Sequence, residues 1–391
     1  MKTIYAIHQG YELYGSDRSF IQCLEILRHT YPMATLRVLL PRQGPLSEFL
    51  SQRGFSCEIC DLWILRRSYG LGLIGRALAL PAALWRAHRV FQASDLVYIN
   101  TAVVADYLLV ARLHRGKAIA HIREMPTGLA HRVVSALVRW SRATVFFNSQ
   151  ATAEAFPSAA GIHRAVIHNG FKGPLHAEPP QARKDGKLRV LMLGRINDWK
   201  GQDLLIEAIK LLPEMQRRTV ELRIAGDAFE GQPYRSALET QIITSGLGDQ
   251  VSIEGFIDDP SSLLQWSDVV VVPSRKPEPF GRVAIEAMAW ARPVVAARHG
   301  GLVEIVDNES TGLMFTPNDV DALCRALTRF IDHPDLTKRL GKQGRRTYEA
   351  RFTEAALSAA FAEAMVRAGF EGVGRGYADQ LISPSQPTCP P

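Results

Sequence analysis

Short apolar runs recur along the chain, each parted from the next by a helical pattern and turn residues, and the series restarts once. In the first half the runs are Thr3–His8, Thr35–Leu40, Ser56–Leu62, Leu96–Asn100, Ala118–His121, Thr144–Asn148 and Ala165–His168. In the second half they are Leu188–Leu193, Val220–Ala225, Val251–Glu254, Val269–Pro273, Pro293–Ala297 and Gly312–Phe315. Strands of this length alternating with amphipathic helices build parallel sheets with helices on both faces. Between the two series lies KGPLHAEPPQARKDGK, rich in Pro and charge and without periodicity, which reads as a linker. The expected class is α/β: two doubly wound domains facing a central cleft, with ligands beyond the carboxyl ends of the strands.

The domain bounds follow from the same pattern: residues 1–172, a linker over 173–187, and 188–351, with the helical stretch 352–369 and a frayed tail over 370–391. No apolar run approaches the roughly 20 residues needed to span a bilayer. The first residues read as a strand and not as a secretory signal, so a cytoplasmic protein is expected. Five cysteines make a sparse, odd set, and Cys57 with Cys60 lacks a second ligand pair for zinc, so ordinary thiols are expected. Charge is unevenly placed. Residues 1–180 hold 20 Lys+Arg and 11 Asp+Glu, whereas 181–391 hold 26 and 28. A basic front half suits an anionic partner: nucleic acid, a membrane surface or a phosphorylated acceptor.

The densest chemical signal is VVVVPSRKPEPFGRVAIEAMAWARPVVAARHGGLVEIV at 269–306. A buried strand ends at Pro273, a loop carries Glu278, and a helix opens near Phe280–Gly281 and runs to about Ala291. Glycine at a helix entry leaves the first N–H groups open to an anion such as a diphosphate. Glu278 can reach sugar hydroxyls, and Glu286 can accept from a ribose diol, because a carboxylate offers only acceptors. The bland alternative pairs Glu286 with Arg282 at i,i+4 and leaves Glu278 a solvated loop acid. A second signal is LMLGRINDWKG at 191–201, where Arg195 and Lys200 project from a strand-to-helix loop and can neutralise a diphosphate or, equally, are exposed basic residues capping the sheet.

Two further loops follow strands in the first half. HQGYELYGSDRS at 8–19 places Gly10, Gly15 and Ser16 before a helix, with Ser16 or Asp17 as its cap, but lacks the full Gly-x-Gly-x-x-Gly spacing. AIAHIRE at 118–124 places His121 at a strand end, where an imidazole can bond a sugar hydroxyl or help the acceptor lose its proton, or is simply a satisfied structural residue. Finally, Asp61–Ala93 interleaves Trp63, Trp85 and several leucines with Arg66, Arg67, Arg76, Arg86 and Arg89, and His131–Arg142 is a second basic amphipathic stretch. Such segments suit a membrane headgroup layer or, equally, a core helix with a solvated arginine face.

Taken in order, these motifs resemble the retaining glycosyltransferases of family 4, which have the GT-B fold of two Rossmann-like domains. The resemblance covers nearly the whole chain and adds IHNGF at 167–171 and AGD at 225–227 to the motifs above. It implies a nucleoside-diphosphate-sugar donor held mainly by the second domain and an acceptor held by the first. Arg195 and Lys200 would contact the diphosphate, Glu286 the ribose, Glu278 the sugar hydroxyls, and Phe280–Gly281 would supply backbone contacts. His121 would sit beside the sugar, Gly15–Ser16 would bring backbone near phosphate, and the stretch 352–369 would cross back onto the first domain. Members work without a metal or another cofactor. The first loop departs from the paired glycines common in the family.

The resulting expectation is a retaining transferase acting on a glycan or lipid-linked acceptor in surface polysaccharide or glycolipid synthesis, resting on the inner leaflet through Asp61–Ala93. Rivals are a nucleotide-sugar epimerase of the same shape, which needs no acceptor, and a non-catalytic sugar-nucleotide-binding protein. Nucleic acid is not expected, because the arginines fall in no recognisable module.

Overall fold

The structure, a computed structural model, describes residues 1–65, 73–157, 161–181, 185–228 and 233–370. The chain forms two compact units: unit 1 is Met1–Gly170 with the chain from Glu354 onward, and unit 2 is Phe171–Thr353. Unit 1 is built on β1 (Thr3–Ile7), β2 (Thr35–Leu40), β3 (Ser56–Ile59), β4 (Leu96–Ile99), β5 (Ala118–Ile122), β6 (Thr144–Phe147) and β7 (Arg164–Val166). They form one parallel sheet in the order β3-β2-β1-β4-β5-β6-β7. Unit 2 is built on β8 (Leu188–Leu193), β9 (Val220–Ala225), β10 (Val251–Glu254), β11 (Val269–Val272), β12 (Val294–Ala297) and β13 (Gly312–Phe315). Its parallel sheet has the order β10-β9-β8-β11-β12-β13.

Successive residues of each strand face opposite layers, which is why both layers must be apolar. In β1, Ile4 and Ala6 pack with Phe20 and Leu24 of the helix Gly15–Thr30, while Tyr5 and Ile7 pack with Phe91 and Tyr107 on the other face. In β11, Val269 and Val271 join one cluster and Val270 and Val272 the other, so all four valines are buried. In each sheet the strand order reverses once, between β1 and β4 and between β8 and β11. Loops leaving the carboxyl ends of strands on either side of such a reversal part in opposite directions and leave a crevice.

The unit boundaries differ from the sequence reading at three places. The stretch after Gly170 is fastened to unit 2 by side chains gripping its backbone. Tyr348 Oη donates to Phe171 O (2.9 Å) and accepts from Gly173 N (2.8 Å). Arg345 Nη2 donates to Pro174 O and Leu175 O (2.9 and 3.1 Å), and buried Arg292 donates to Glu178 O (2.8 Å). Contacts of this kind leave no periodic trace in the sequence. Phe352 likewise stays in unit 2, where its carbonyl accepts from Phe171 N (2.9 Å), and the helix Glu354–Arg367 belongs to unit 1. Phe370, expected in the tail, is buried, and its carbonyl accepts from Tyr31 Oη (2.8 Å). The remaining tail, 371–391, lies outside the described residues.

Cys57 and Cys60 are unpaired thiols, and burial pushes both above the ordinary cysteine range. Among the described residues no helix is long and apolar enough to cross a membrane.

Candidate active site

In unit 2 three loops leave the carboxyl ends of neighbouring strands: 194–201 after β8, 273–281 after β11 and 298–301 after β12. Their meeting is a consequence of the strand order, since β8 and β12 flank β11. Glycines make the approach close. Gly201 has φ 84°, and a Cβ there would lie 2.2 Å from Pro273 O. Gly300 has φ 57°, and a Cβ there would lie 2.3 Å from Glu278 O. Neither position admits a side chain without moving backbone.

The loop after β8 is an Asx turn. Asn197 Oδ1 accepts from the backbone N–H of Trp199 (3.1 Å) and Lys200 (3.0 Å). That turn aims Lys200 across at the loop after β11, where its Nζ lies 2.6 Å from Glu278 Oε1. Ser274 Oγ donates to the same oxygen at 2.5 Å. Glu278 is only 6% exposed, so its carboxylate is a nearly desolvated charge with one cation beside it. His299 Nε2 donates to Ser274 O (2.8 Å). Burial holds the His299 imidazole below its ordinary pKa, against a smaller upward pull from that bond and from Glu278. Arg195 is half-buried in the same loop as Lys200, and its carbonyl accepts from Gln202 Nε2 (3.0 Å).

The helix expected from about Phe280 spans Arg282–Ala289, and its N-cap Gly281 has φ 105° with a Cβ position 2.5 Å from Leu302 Cδ2. Phe280 is buried edge-on against Phe352. Glu286 does make the i,i+4 pair: Arg282 Nε donates to its Oε1 at 2.8 Å, with both side chains largely shielded. Asp227 of the AGD stretch is held at its two oxygens by Arg235 Nη1 (3.2 Å) and Phe256 N (3.0 Å). Unit 2 therefore brings Lys200 and Glu278 into contact at one sheet end, with Arg195 in the Lys200 loop, Phe280 and Gly281 at the helix entry, and Glu286 farther along the helix on Arg282. Ser274, His299 and Asn197, absent from the sequence reading, complete the site.

Gly15 and Ser16 belong to unit 1, exposed at the first turn of the helix Gly15–Thr30. Asp17 closes that turn by accepting from Tyr14 N (3.0 Å), and its other oxygen meets buried His8 Nε2 at 2.7 Å. A Cβ on Gly10 would lie 2.0 Å from Asp17 Oδ1, so that glycine makes room for the His8–Asp17 pair.

His121 does not stand at an open strand end, which corrects the sequence reading. β5 continues to Ile122, and the imidazole is fully buried among Tyr98, Phe146 and Phe361. Its Nδ1 lies 2.7 Å from Tyr98 Oη and 3.3 Å from Arg123 Nη2, while Nε2 has no partner among the described residues. The residues that do leave the strand end are Arg123 and Glu124. Buried Arg123 donates to Asn100 Oδ1 (2.7 Å), Asn169 Oδ1 (2.5 Å) and Cys23 Sγ (3.2 Å). Glu124 accepts from Gln9 Nε2 (2.9 Å) and Thr101 Oγ1 (2.6 Å). One strand residue of error moved the assignment from an edge position to the core.

The burial of His121 has a measurable consequence. Desolvation, and secondarily the Arg123 charge, holds its folded pKa well below the ordinary 6.5. The unfolded chain therefore takes up this proton first. The stability this implies is fully present above pH 6.5 and falls as pH drops below it, by up to about 1.4 kcal/mol per pH unit. Urea midpoints of wild type and His121→Gln between pH 7.5 and 5.0 should diverge in slope, the variant being flatter. Parallel slopes would refute the buried neutral imidazole.

Two parallel, doubly wound α/β units, one carrying this convergence of loops, are the building blocks of the GT-B fold, which solved glycosyltransferases share with this chain. Residues 176–347, nearly all of unit 2, match the family model of glycosyl transferases group 1. The D-inositol 3-phosphate glycosyltransferase of Streptomyces coelicolor is 35% identical over 274 residues, 66% of this chain and 52% of the relative, about half its length. The lipopolysaccharide core biosynthesis mannosyltransferase LpcC of Rhizobium leguminosarum bv. viciae is 29% identical over 253 residues, 61% of this chain and 70% of the relative. The crystal structure of Anabaena HepE in complex with UDP and glucose matches with a TM-score of 0.76 and 26% identity, over 94% of this chain and 100% of that one. Over residues 176–347 the chain is thus similar to glycosyl transferases group 1, and its fold is shared with solved glycosyltransferases.

Proposed function

We propose that the protein is a retaining, metal-independent family 4 enzyme that moves a sugar from a nucleoside diphosphate, held by unit 2, to a glycan or lipid-linked acceptor, held by unit 1. The observation that carries this reading is the Lys200–Glu278 pair beside the entry of the helix Arg282–Ala289. Glu278 receives sugar hydroxyls, and Glu286 the ribose diol, exchanging its intrahelical bond with Arg282 for the ligand. Lys200 and Arg195, with the backbone N–H groups after Phe280, stabilise the charge that gathers on the diphosphate as the bond from C1 to its oxygen breaks. The acceptor oxygen bonds to C1 from the same face and gives its proton to the departing diphosphate. A relative solved with UDP and glucose supports the donor class, and a lipopolysaccharide core enzyme among the relatives supports the acceptor class.

The membrane part of the reading has its own support in unit 1. The helices Leu73–Gln92 and Gly128–Ser141 contain no Asp or Glu, and they expose Leu78, Trp85, Leu129 and Trp140. Arg89 lies over the Trp85 ring and Arg112 over Trp140. Residues 66–72 of the segment Asp61–Ala93 lie outside the described part. Aromatic rings flanked by arginines suit an anionic headgroup layer.

One experiment addresses both parts. UDP-, GDP- and ADP-sugars are incubated with the protein and an acceptor glycolipid carried on neutral or anionic vesicles. The expected result is release of nucleoside diphosphate, a product with the donor's anomeric configuration by NMR, and cosedimentation only with anionic vesicles. An inverted product refutes retention, and failure to cosediment with either kind of vesicle refutes the membrane surface.

A further inference from the structure

We propose that Ser274 is the positioning residue of the donor-sugar site and sets which hydroxyl configuration Glu278 accepts, an inference that rests on Glu278 being the sugar contact. Ser274 follows Pro273 at the end of β11 and is fully buried. Its Oγ–H and Lys200 Nζ both meet Glu278 Oε1, at 2.5 and 2.6 Å. Oε2 is left without a hydrogen-bond partner among the described residues. The carboxylate thus has one oxygen gripped twice and one oxygen open.

Such asymmetry matters because the terminal torsion of a glutamate is broad, and an unrestrained carboxylate presents either oxygen over a wide range of angles. Two hydrogen bonds on Oε1, both charge-assisted, oppose that rotation. Oε2 then accepts a sugar hydroxyl along one direction, which reads configuration at one carbon. Lys200 alone would not impose this, since its ammonium rides a flexible stem and can follow the carboxylate. Ser274 cannot follow. Its carbonyl is held by His299 Nε2 (2.8 Å) from the loop after β12, and the adjacent Arg275 N–H is held by Trp199 O (2.7 Å) from the loop after β8. The backbone that carries the hydroxyl is therefore tied to both neighbouring loops, and the hydroxyl passes that restraint to Glu278.

The test compares wild type with Ser274→Ala, which deletes one oxygen at a fully buried position. Binding of free UDP and GDP is read by calorimetry. Donor preference is read from hydrolysis of two epimeric pairs, UDP-glucose with UDP-galactose and GDP-mannose with GDP-glucose. The expected result is nucleotide affinity within about twofold of wild type, kcat for the preferred donor lowered about tenfold, and the epimer ratio reduced at least about tenfold. His299→Ala loosens the Ser274 carbonyl without touching the hydroxyl and should move the ratio the same way by about threefold. It serves as the test if the alanine at 274 does not fold. A folded variant with an unchanged epimer ratio overturns the positioning role and leaves the donor reading standing. Wild type that binds none of UDP, GDP and, by the same calorimetry, ADP overturns the donor reading, and this inference with it.

Discussion

Replacing Glu278 or Lys200 by alanine is expected to lower sugar transfer by about a hundredfold or more in protein that still folds. The two losses have different origins. Without Glu278, the sugar loses its carboxylate contact and Lys200 swings free. Without Lys200, a nearly buried carboxylate keeps only the Ser274 hydroxyl, and the departing diphosphate loses a cation in a partly desolvated site. The second variant should also be the less stable, by about 1–3 kcal/mol, because a charged group is left underpaired. Transfer rates with the best donor, measured beside thermal unfolding, separate the effects. Near-normal transfer by either folded variant would refute the assigned site.

Gly201→Ala should rank next, and it acts through backbone. The residue holds φ 84° at the cap of the helix Gln202–Lys210, and an added Cβ would stand 2.2 Å from Pro273 O. A non-glycine residue in that region costs about 1–2 kcal/mol, and the clash with a main-chain oxygen adds more. A total of about 2–4 kcal/mol corresponds to a Tm loss of roughly 5–15 °C for a unit of this size. Because Lys200 is the neighbouring residue and Ser274 follows Pro273, the shift also pulls cation and carboxylate apart, so activity should fall well below what the folded fraction explains. Wild-type Tm together with wild-type activity would show that the two loops are not packed as described.

How much of this was legible beforehand differs by residue type. The strands were, because burial on both faces demands unbroken apolar runs such as Val269–Val272. The turn that carries Glu278 into the helix bearing Glu286 was, because a buried strand, a proline-bearing loop and a glycine at the helix entry are local signals. Even the competing pair, Arg282 with Glu286, was visible as an i,i+4 relation. Ser274 and His299 were not, since their roles depend on which strands are neighbours, and nothing local in PSRKPE or ARHGG announces a partner 25 residues away. His121 misled for a related reason. A strand end placed one residue early turns a core side chain into an apparent edge residue, since faces alternate at every step. Arg292 and Arg345 hold the presumed linker through carbonyls, which carry no residue identity for a sequence to display.

The amino-acid order alone determined that two parallel sheets would form and that acidic and basic side chains would leave their strand ends, because periodicity and loop composition are local properties. Only the tertiary structure decided that β8, β11 and β12 lie side by side, which oxygen of Glu278 stays open, and that His121 is sealed inside unit 1. Strand order and side-chain facing emerge from packing the whole sheet, and contacts between residues distant in sequence exist only once that packing is complete.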